Sequence, residues 1–264
     1  MSVMKNEKNL SKKELLAALG EEPQLIVDDA PFEYVEAFKE LRTNLHFVTA
    51  EDKEEGKCWK IIVTSSVPGE GKSTTAINVA LSLAQSNSKV LLVDADMRNP
   101  VLRKYLRLNA EKEIGLSTLL SSDAELSDCV VHTDYGVDVI VNGPTPPNPA
   151  ELIKSKGMKE MIQKAQSQYD YIIFDTPPVG VITDAAALSP LCDGVLYAVR
   201  HSYASKKQVN NAIKKLQMVE ARILGTVMTQ YEIPKHSGGY GYRKYKYGYG
   251  YGYGYGYGKK QGEK

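Results

Sequence analysis

Between Trp59 and Tyr231 two hydrophobic patterns alternate along the chain. Short stretches rich in valine and isoleucine, apolar on both faces, occur at Lys60–Thr64, Val90–Asp94, Val137–Val141, Tyr171–Asp175, Gly194–Val199 and Leu224–Thr229. That pattern predicts buried parallel strands. Amphipathic stretches near Lys72–Gln85, Ala150–Gln166 and Ser205–Val219 predict helices between them. Strands separated by helices imply right-handed crossovers, hence an open, doubly wound, mostly parallel α/β sheet with helices on both faces. Such sheets bind their ligands at the carboxyl ends of strands.

Upstream, Ser11-Lys12-Lys13-Glu14 has the spacing of a capping box and opens a short helix through Leu15, Leu16 and Leu19, stopped at Gly20. A linker from Pro23 to Pro31 follows. The next helix runs from about Phe32 to Val48, with Val35, Phe38, Leu41, Leu45 and Val48 in one stripe at spacings of three and four. Downstream the pattern stops. From Gly238 to Gly258 glycine and tyrosine alternate almost strictly and aliphatic residues are absent. Such a segment cannot bury enough surface to offset its ordering entropy and is expected to be disordered. Three regions result: residues 1–31, an N-terminal helix and linker; residues 32–234, the α/β domain with its leading helix; and residues 235–264, the tail.

Composition narrows the class. The 264 residues are 42% hydrophobic and 25% charged, ordinary for a globular protein with a sizeable core. No apolar run reaches the 18 residues that a membrane span needs, and the polar stretch Met1–Leu10 lacks the core of a secretory signal. Cys58, Cys129 and Cys192 are too far apart for C-x-x-C spacing. With no signal, they are expected to be reduced thiols in the cytoplasm. The net charge of +1 divides unevenly, +6 from Lys235 to Lys264 and −5 before it. A mildly acidic body gives no reason to expect nucleic acid.

Candidate chemistry sits at the strand ends. The first strand runs into Ser65-Ser66-Val67-Pro68-Gly69-Glu70-Gly71-Lys72-Ser73-Thr74, and a helix follows. This is a phosphate-binding loop, G-x-x-x-x-G-K-[ST], with Ser66 where the first glycine usually stands. Pro68, Gly69, Glu70, Gly71, Lys72, Ser73 and Thr74 are the candidate nucleotide-binding residues. Gly69 and Gly71 let backbone N–H groups close around phosphates. Lys72 would bridge the β- and γ-phosphates, Ser73 would ligate magnesium, and the helix dipole adds to anion binding. A chance Gly-Lys-Ser is the bland alternative, but chance does not supply the strand before and the helix after.

Two acids, Asp94 and Asp96, end the strand Val90–Asp94 at a spacing that points both to one side. Asp175, in Phe174-Asp175-Thr176-Pro177-Pro178, ends another strand in the Walker B pattern. A magnesium–ATP site needs hard oxygen ligands and a group to orient or deprotonate a nucleophile. Turn-forming or helix-capping acids are the alternative at each position; three such sites around one phosphate loop weaken it.

The P-loop preceded by Ser-x-x-Pro, the motif Asp94-x-Asp96-x-Arg98, the Walker B stretch and the tyrosine-rich tail together resemble the bacterial tyrosine kinases. These are autokinases of capsule and exopolysaccharide synthesis and export, built on the fold of partition and division-site ATPases. The resemblance covers about Phe32 to Gln230 plus the tail. It implies an ATP- and Mg2+-dependent protein-tyrosine autokinase. Lys72, Asp94, Asp96 and Asp175 would be catalytic, and Ser73, Asp94 and Asp175 would hold the metal. Asp94 would activate the incoming hydroxyl with Asp96 in support. Tyr240, Tyr242, Tyr245, Tyr247, Tyr249, Tyr251, Tyr253, Tyr255 and Tyr257 would accept phosphate, mainly between subunits.

The resemblance also implies partners. A separate membrane-spanning chain-length regulator would recruit the chain to the inner face of the membrane and activate it. A phosphotyrosine phosphatase would reverse its product. Family members join into rings through E-x-x-R-x-x-R, which here reads Glu36-x-x-Lys39-x-x-Arg42. Lysine keeps the charge but not the planar fork of arginine, and a solvated Glu–Lys face is the bland reading. The competing function is a nucleotide-switched, partition-like ATPase scaffold. Its signature lysine position is Val67 here, and it has no use for nine spaced tyrosines. Thr229 stands where related proteins often place an adenine-reading asparagine. His46, His132, His201 and His236 do not cluster in the sequence. Arg200 and His201 are expected in a surface loop, and Met158, Met161 and Ile162 in a helix core.

Overall fold

A computed structural model describes residues 23–27, 30–50, 57–108 and 114–231. The Ser11–Leu19 helix and the whole tail with its nine tyrosines lie outside the described residues. Seven strands form one sheet: β1 (Trp59–Ser65), β2 (Val90–Asp94), β3 (Val130–His132), β4 (Val137–Ile140), β5 (Tyr171–Asp175), β6 (Gly194–Arg200) and β7 (Ile223–Thr229), in the order β3-β4-β2-β5-β1-β6-β7. All pairings are parallel except β3 with β4.

Alternation along the strands divides the core into two layers. Ile62, Leu91, Val93, Ile172 and Phe174 face one side, under the helices Lys156–Ala165 and Lys206–Gln217. Ile61, Val63, Leu92 and Ile173 face the other, under the helix Lys72–Ala84. Consecutive residues point to opposite faces of a strand, so a strand buried on both sides must be apolar throughout. All six sequence-predicted strands form, with no end moved by more than one residue. The register then sets the chemistry: β2 and β5 align Asp94 directly beside Asp175, and β1 places Val63 beside Asp175.

Three features depart from the sequence reading. The helix expected over Ala150–Gln166 is two, Pro149–Ile153 and Lys156–Ala165, because the Ser155 hydroxyl accepts from Met158 N–H and starts a new helix. The edge strand β3 has only three residues, too few for a period to show. Short helices at Leu102–Tyr105, Leu116–Ser121, Leu126–Cys129 and Asp184–Leu188 are likewise shorter than any periodicity test.

The leading helix, Phe32–Ala50, lies on the helix Lys72–Ala84 through buried Phe38 and Leu45. A polar clasp reinforces the contact. Buried Asn78 accepts from Ile26 N–H and donates to Gln24 O and Tyr34 Oη, each at 2.9 Å, and Ser82 Oγ donates to Phe38 O. All of this amide's hydrogen-bonding capacity but one lone pair is thereby used, which is what makes burying it tolerable.

Candidate active site

The loop leaving β1 is held from inside by its own glutamate. Glu70 is fully buried, and its Oε2 accepts from Ser66 N–H at 2.7 Å and Val67 N–H at 2.8 Å. Its other oxygen faces Arg200 N–H at 3.4 Å. The Glu70 side chain therefore braces the start of the loop and takes two of its N–H groups, so a phosphate would meet the N–H groups further on, from Gly69 into the helix. Gly69 and Gly71 have φ of +84° and +79°, a region that side-chain-bearing residues avoid. The turn they make feeds straight into the helix Lys72–Ala84, so the loop surrounds a helix N-terminus where anions are favoured.

Ser66, in the place of the usual glycine, is buried, and its hydroxyl lies 2.7 Å from Tyr197 Oη of β6. Outer supports come from the strand ends. Thr229 donates its hydroxyl to Glu70 O at 2.8 Å, so this side chain is engaged with the loop itself. Arg200 donates to Gly69 O at 3.3 Å and lies 4.6 Å from the Tyr203 ring. The surface-loop expectation for Arg200 is corrected: it is the last residue of β6, paired with Thr229, and from there it reaches the phosphate loop.

Lys72 gathers the predicted acids. Its ammonium lies 3.0 Å from Asp96 Oδ2, 3.5 Å from Asp175 Oδ1 and 3.1 Å from Ser73 Oγ. Burial alone would lower the lysine pKa, but Asp175, Asp96 and Asp94 together raise it, so the charge is retained. Asp94 is fully buried; burial first, then the charge of Asp175, lifts its carboxyl well above the ordinary value, against a hydrogen bond from Leu102 N–H at 3.2 Å. Burial also raises Asp175, opposed by Lys72 and Ser73.

The donor set suits magnesium and phosphate. Asp94 Oδ1 and Asp175 Oδ2 are buried without a hydrogen-bond partner, side by side at the ends of paired strands. Orphaned carboxylate oxygens are costly unless something arrives to take them. Among the described residues no cluster of three or more His, Cys, Asp or Glu is arranged as a self-sufficient metal cage. Magnesium rarely uses such cages; it takes one or two carboxylates plus substrate phosphates. Ser73, Asp175 and Asp94 fit that role.

The segment after β5 locks onto the loop. Thr64 Oγ1 donates to Pro177 O at 2.8 Å and accepts from Val179 N–H at 3.1 Å. Lys215 donates to Gly180 O at 2.7 Å. A Cβ on Gly180 would lie 2.0 Å from Ser66 O, a backbone atom with no room to move. Gly180→Ala is expected to cost about 1–3 kcal/mol of stability. It should also weaken nucleotide binding, because the displaced atom belongs to the phosphate loop. Thermal denaturation and nucleotide titration of the one variant check both; unchanged values in both would show that the segments are not coupled.

The oligomerisation candidates lie apart from these groups, on the leading helix. Glu36 and Lys39 pair with each other at 2.7 Å on the surface, and Arg42 donates to Ser82 O at 2.5 Å. The same helix exposes Phe32 and Phe47, at 73% and 70%, which the sequence stripe did not single out because it was drawn for the buried side.

Comparison with known proteins agrees with this geometry. Residues 59–228 match the family model described as an AAA domain. Tyrosine-protein kinase YwqD of Bacillus subtilis is 38% identical over 208 residues, 78% of this chain and 85% of that protein. The kinase domain of Escherichia coli tyrosine kinase ETK superposes with a TM-score of 0.71 at 30% identity, over 82% of this chain and 87% of that one. The septum site-determining protein MinD of Pyrococcus horikoshii, a structure with Mg-ADP, shares the fold at a TM-score of 0.55 and 24% identity, over 65% of this chain and 70% of that one. With its phosphate loop, its paired strand-end carboxylates and relatives of that name over most of its length, the chain belongs to the family of bacterial protein-tyrosine kinases and is itself an enzyme of that class.

Proposed function

We propose that the chain is an ATP- and Mg2+-dependent autokinase that phosphorylates the tyrosines of its own tail, mainly between subunits, and thereby regulates capsule or exopolysaccharide synthesis and export. The observation that carries the chemistry is the Lys72 ammonium set among Asp96, Asp175 and Asp94, with two orphaned carboxylate oxygens beside it. Magnesium, when bound, would draw charge from the phosphates. Lys72 exchanges its carboxylate partners for phosphate oxygens. Asp94 is raised by burial and by Asp175, which makes it a better proton acceptor than a surface aspartate. In the transfer, the bond from the γ-phosphorus to the bridging oxygen breaks and its electron pair stays on ADP. A bond to the tyrosine oxygen forms, and the phenolic proton goes to Asp94. Asp96 supports by holding Lys72 between turnovers.

Nine tyrosines between Tyr240 and Tyr257 supply acceptors of one kind at close spacing. A coil of the tail's length, about 27 residues from Gly238, would span near 30 Å with a stretched limit near 90 Å, which would reach a neighbour's site. Crowding several tails on one ring raises their effective concentration there. Each phosphotyrosine adds about −1.5 to −2 charge, so the tail reverses sign and the ring loosens. The organisation is residues 1–31, 32–234 and 235–264. The partners are further copies of the chain, a membrane-spanning chain-length regulator that activates it at the inner face of the membrane, and a phosphotyrosine phosphatase. No helix among the described residues is long and apolar enough to cross a membrane.

Truncation before Tyr240 tests the acceptor assignment. It should remove nearly all phosphotyrosine and leave ATP binding unchanged, since every residue of the site lies upstream. Equal phosphotyrosine in the truncated and full chains would make the body tyrosines the acceptors.

Assembly is expected to use the exposed side of the leading helix. Phe32, Glu36, Lys39 and Phe47 share one face at spacings of three, four and eight, two aromatic anchors flanking an ion pair. Replacing Glu36, Lys39 and Arg42 by alanine should give monomers in sedimentation, and Phe32→Ala with Phe47→Ala should do the same. Unchanged assembly in both would return this face to plain solvated surface.

A further inference from the structure

Arg98 ends the motif Asp94-x-Asp96-x-Arg98, and no role above uses it. Two carboxylates bear on its position, Asp96 through the turn that carries it and Asp184 by direct contact. Asp96 Oδ1 accepts from Asn99 N–H at 3.0 Å and closes the turn that carries Arg98, while Asp96 Oδ2 takes the Lys72 ammonium at 3.0 Å. One side chain thus links the loop lysine to the arginine turn. Arg98 Nε itself reaches Asp184 Oδ2 at 3.3 Å. Asp184 opens the helix Asp184–Leu188, which follows the segment leaving β5.

Asp184 is 1% exposed, and its Oδ1 is buried with no partner. A buried carboxylate with one cation at a single long contact is a poor stabilising device, since desolvation outweighs so weak a pairing. The contact has a geometric consequence instead. Holding a guanidinium by Nε fixes the plane of its fork, and the Arg98 side chain remains 40% exposed with no other partner among the described residues. The Nη donors are left in the arrangement that grips a phosphoryl group bidentately.

Charge gives the reason for a second cation. Asp94, Asp96 and Asp175 outnumber Lys72 by three to one. A bound magnesium ion would bring that count only to balance, so a terminal phosphoryl group finds no surplus of positive charge, and Lys72 must be shared between the β- and γ-phosphates. We infer that Arg98, positioned by Asp184, is a second cationic ligand for the phosphoryl group in transfer, and that its Nη–H donors engage that group's oxygens at the strand-end carboxylates. Arg98 gives up no proton in the step. It carries no charge away and stays a cation throughout. The ligand chemistry is a terminal phosphate monoester or anhydride, either the γ-phosphoryl of the nucleotide or the aryl phosphate formed from it. The inference rests on the kinase reading of the same site.

The test uses the full chain, with Arg98→Ala, Arg98→Lys and Asp184→Asn. Affinities for Mg-ADP and for a non-hydrolysable Mg-ATP analogue are measured beside kcat and KM for tyrosine phosphorylation. Arg98→Ala should leave ADP affinity within about twofold and lower kcat by roughly 10²–10³-fold, the loss typical of one removed oxyanion donor. Arg98→Lys should recover a minor part of it. Asp184→Asn should lower kcat about tenfold with ADP affinity unchanged.

Millimolar guanidinium should restore part of the Arg98→Ala rate and none of the rate of the Arg98→Ala, Asp184→Asn double variant, a response that a purely structural role would not produce. Weaker analogue binding assigns Arg98 to the nucleotide's γ-phosphoryl; weaker inhibition by phenyl phosphate, with analogue binding intact, assigns it to the product. Wild-type kcat in Arg98→Ala, or a parallel fall in ADP and analogue affinity without guanidinium rescue, overturns the inference. Absence of tyrosine phosphorylation in the wild-type chain would instead sink the autokinase reading, and the ADP-against-analogue comparison would still decide the role of Arg98.

Discussion

Full-length protein carrying Lys72→Met is expected to yield phosphotyrosine at no more than about one-thousandth of the wild-type rate when given magnesium and ATP. The ammonium lies between the strand-end acids and the phosphate loop, and no second lysine of that loop can take its place. The same substitution should destabilise the nucleotide-free protein by about 3 kcal/mol, because Asp96 and Asp175 lose the cation they face in a buried setting. The sign with pH follows from the raised lysine pKa. Its contribution is present in full below the unfolded value of 10.5 and is lost as pH rises through the higher folded value. Wild type and Lys72→Met should therefore differ in melting temperature at pH 7 and converge at strongly alkaline pH. Phosphotyrosine assays run well below the variant's melting temperature separate lost chemistry from lost fold. Wild-type phosphorylation in folded Lys72→Met would remove the lysine from the mechanism.

Asp94→Asn should abolish phosphorylation to a similar degree while moving stability in the opposite direction. Asp94 is fully buried, has no salt-bridge partner among the described residues, keeps one oxygen unpartnered and stands beside Asp175. Its folded pKa is raised above 3.8 by burial and then by Asp175. A raised carboxyl binds more protons folded than unfolded, so as pH climbs above 3.8 the wild type loses stability until the folded pKa is passed. Asparagine removes that penalty. The variant should melt about 2–4 °C higher at pH 7 and above, the shift that 1 kcal/mol produces in a domain of this size. The difference should shrink toward zero near pH 4. Melting curves without nucleotide or magnesium from pH 4 to 9 check this, and a variant less stable than wild type at pH 8 would contradict it. Together the two variants describe a site whose acids are held against their own stability for the sake of a ligand.

Much of this was legible in the sequence. Val90–Asp94 and Tyr171–Asp175 read as strands residue for residue, because burial on both faces leaves few alternatives to an unbroken apolar run ending in an acid. The phosphate loop was legible for the same kind of reason: glycines at fixed offsets, then a lysine, between a strand and a helix. Pairings between distant segments were not. Glu70 has the look of a solvent-facing loop residue, and only the fold shows it accepting from Ser66 and Val67. Thr229 stands where related proteins often place an adenine-reading asparagine, and nothing in the sequence pointed to the bond from its hydroxyl to Glu70 O. Asp184 sits in a segment with no motif, and its tie to Arg98 spans 86 positions. The break at Ser155 hid inside an amphipathic run, since a new N-cap resets a helix without disturbing the run's apolar spacing.

The hydroxyl of Thr229 has a bearing on how the protein is made. Its bond to Glu70 joins residues 159 positions apart, and Thr229 ends β7, the last strand of the sheet. At roughly 5–20 residues per second on the ribosome, the phosphate loop emerges about 10–30 s before the strand that braces it. During that interval a nascent chain has the loop's sequence without its outer support. Full competence for nucleotide thus arrives only with the final strand.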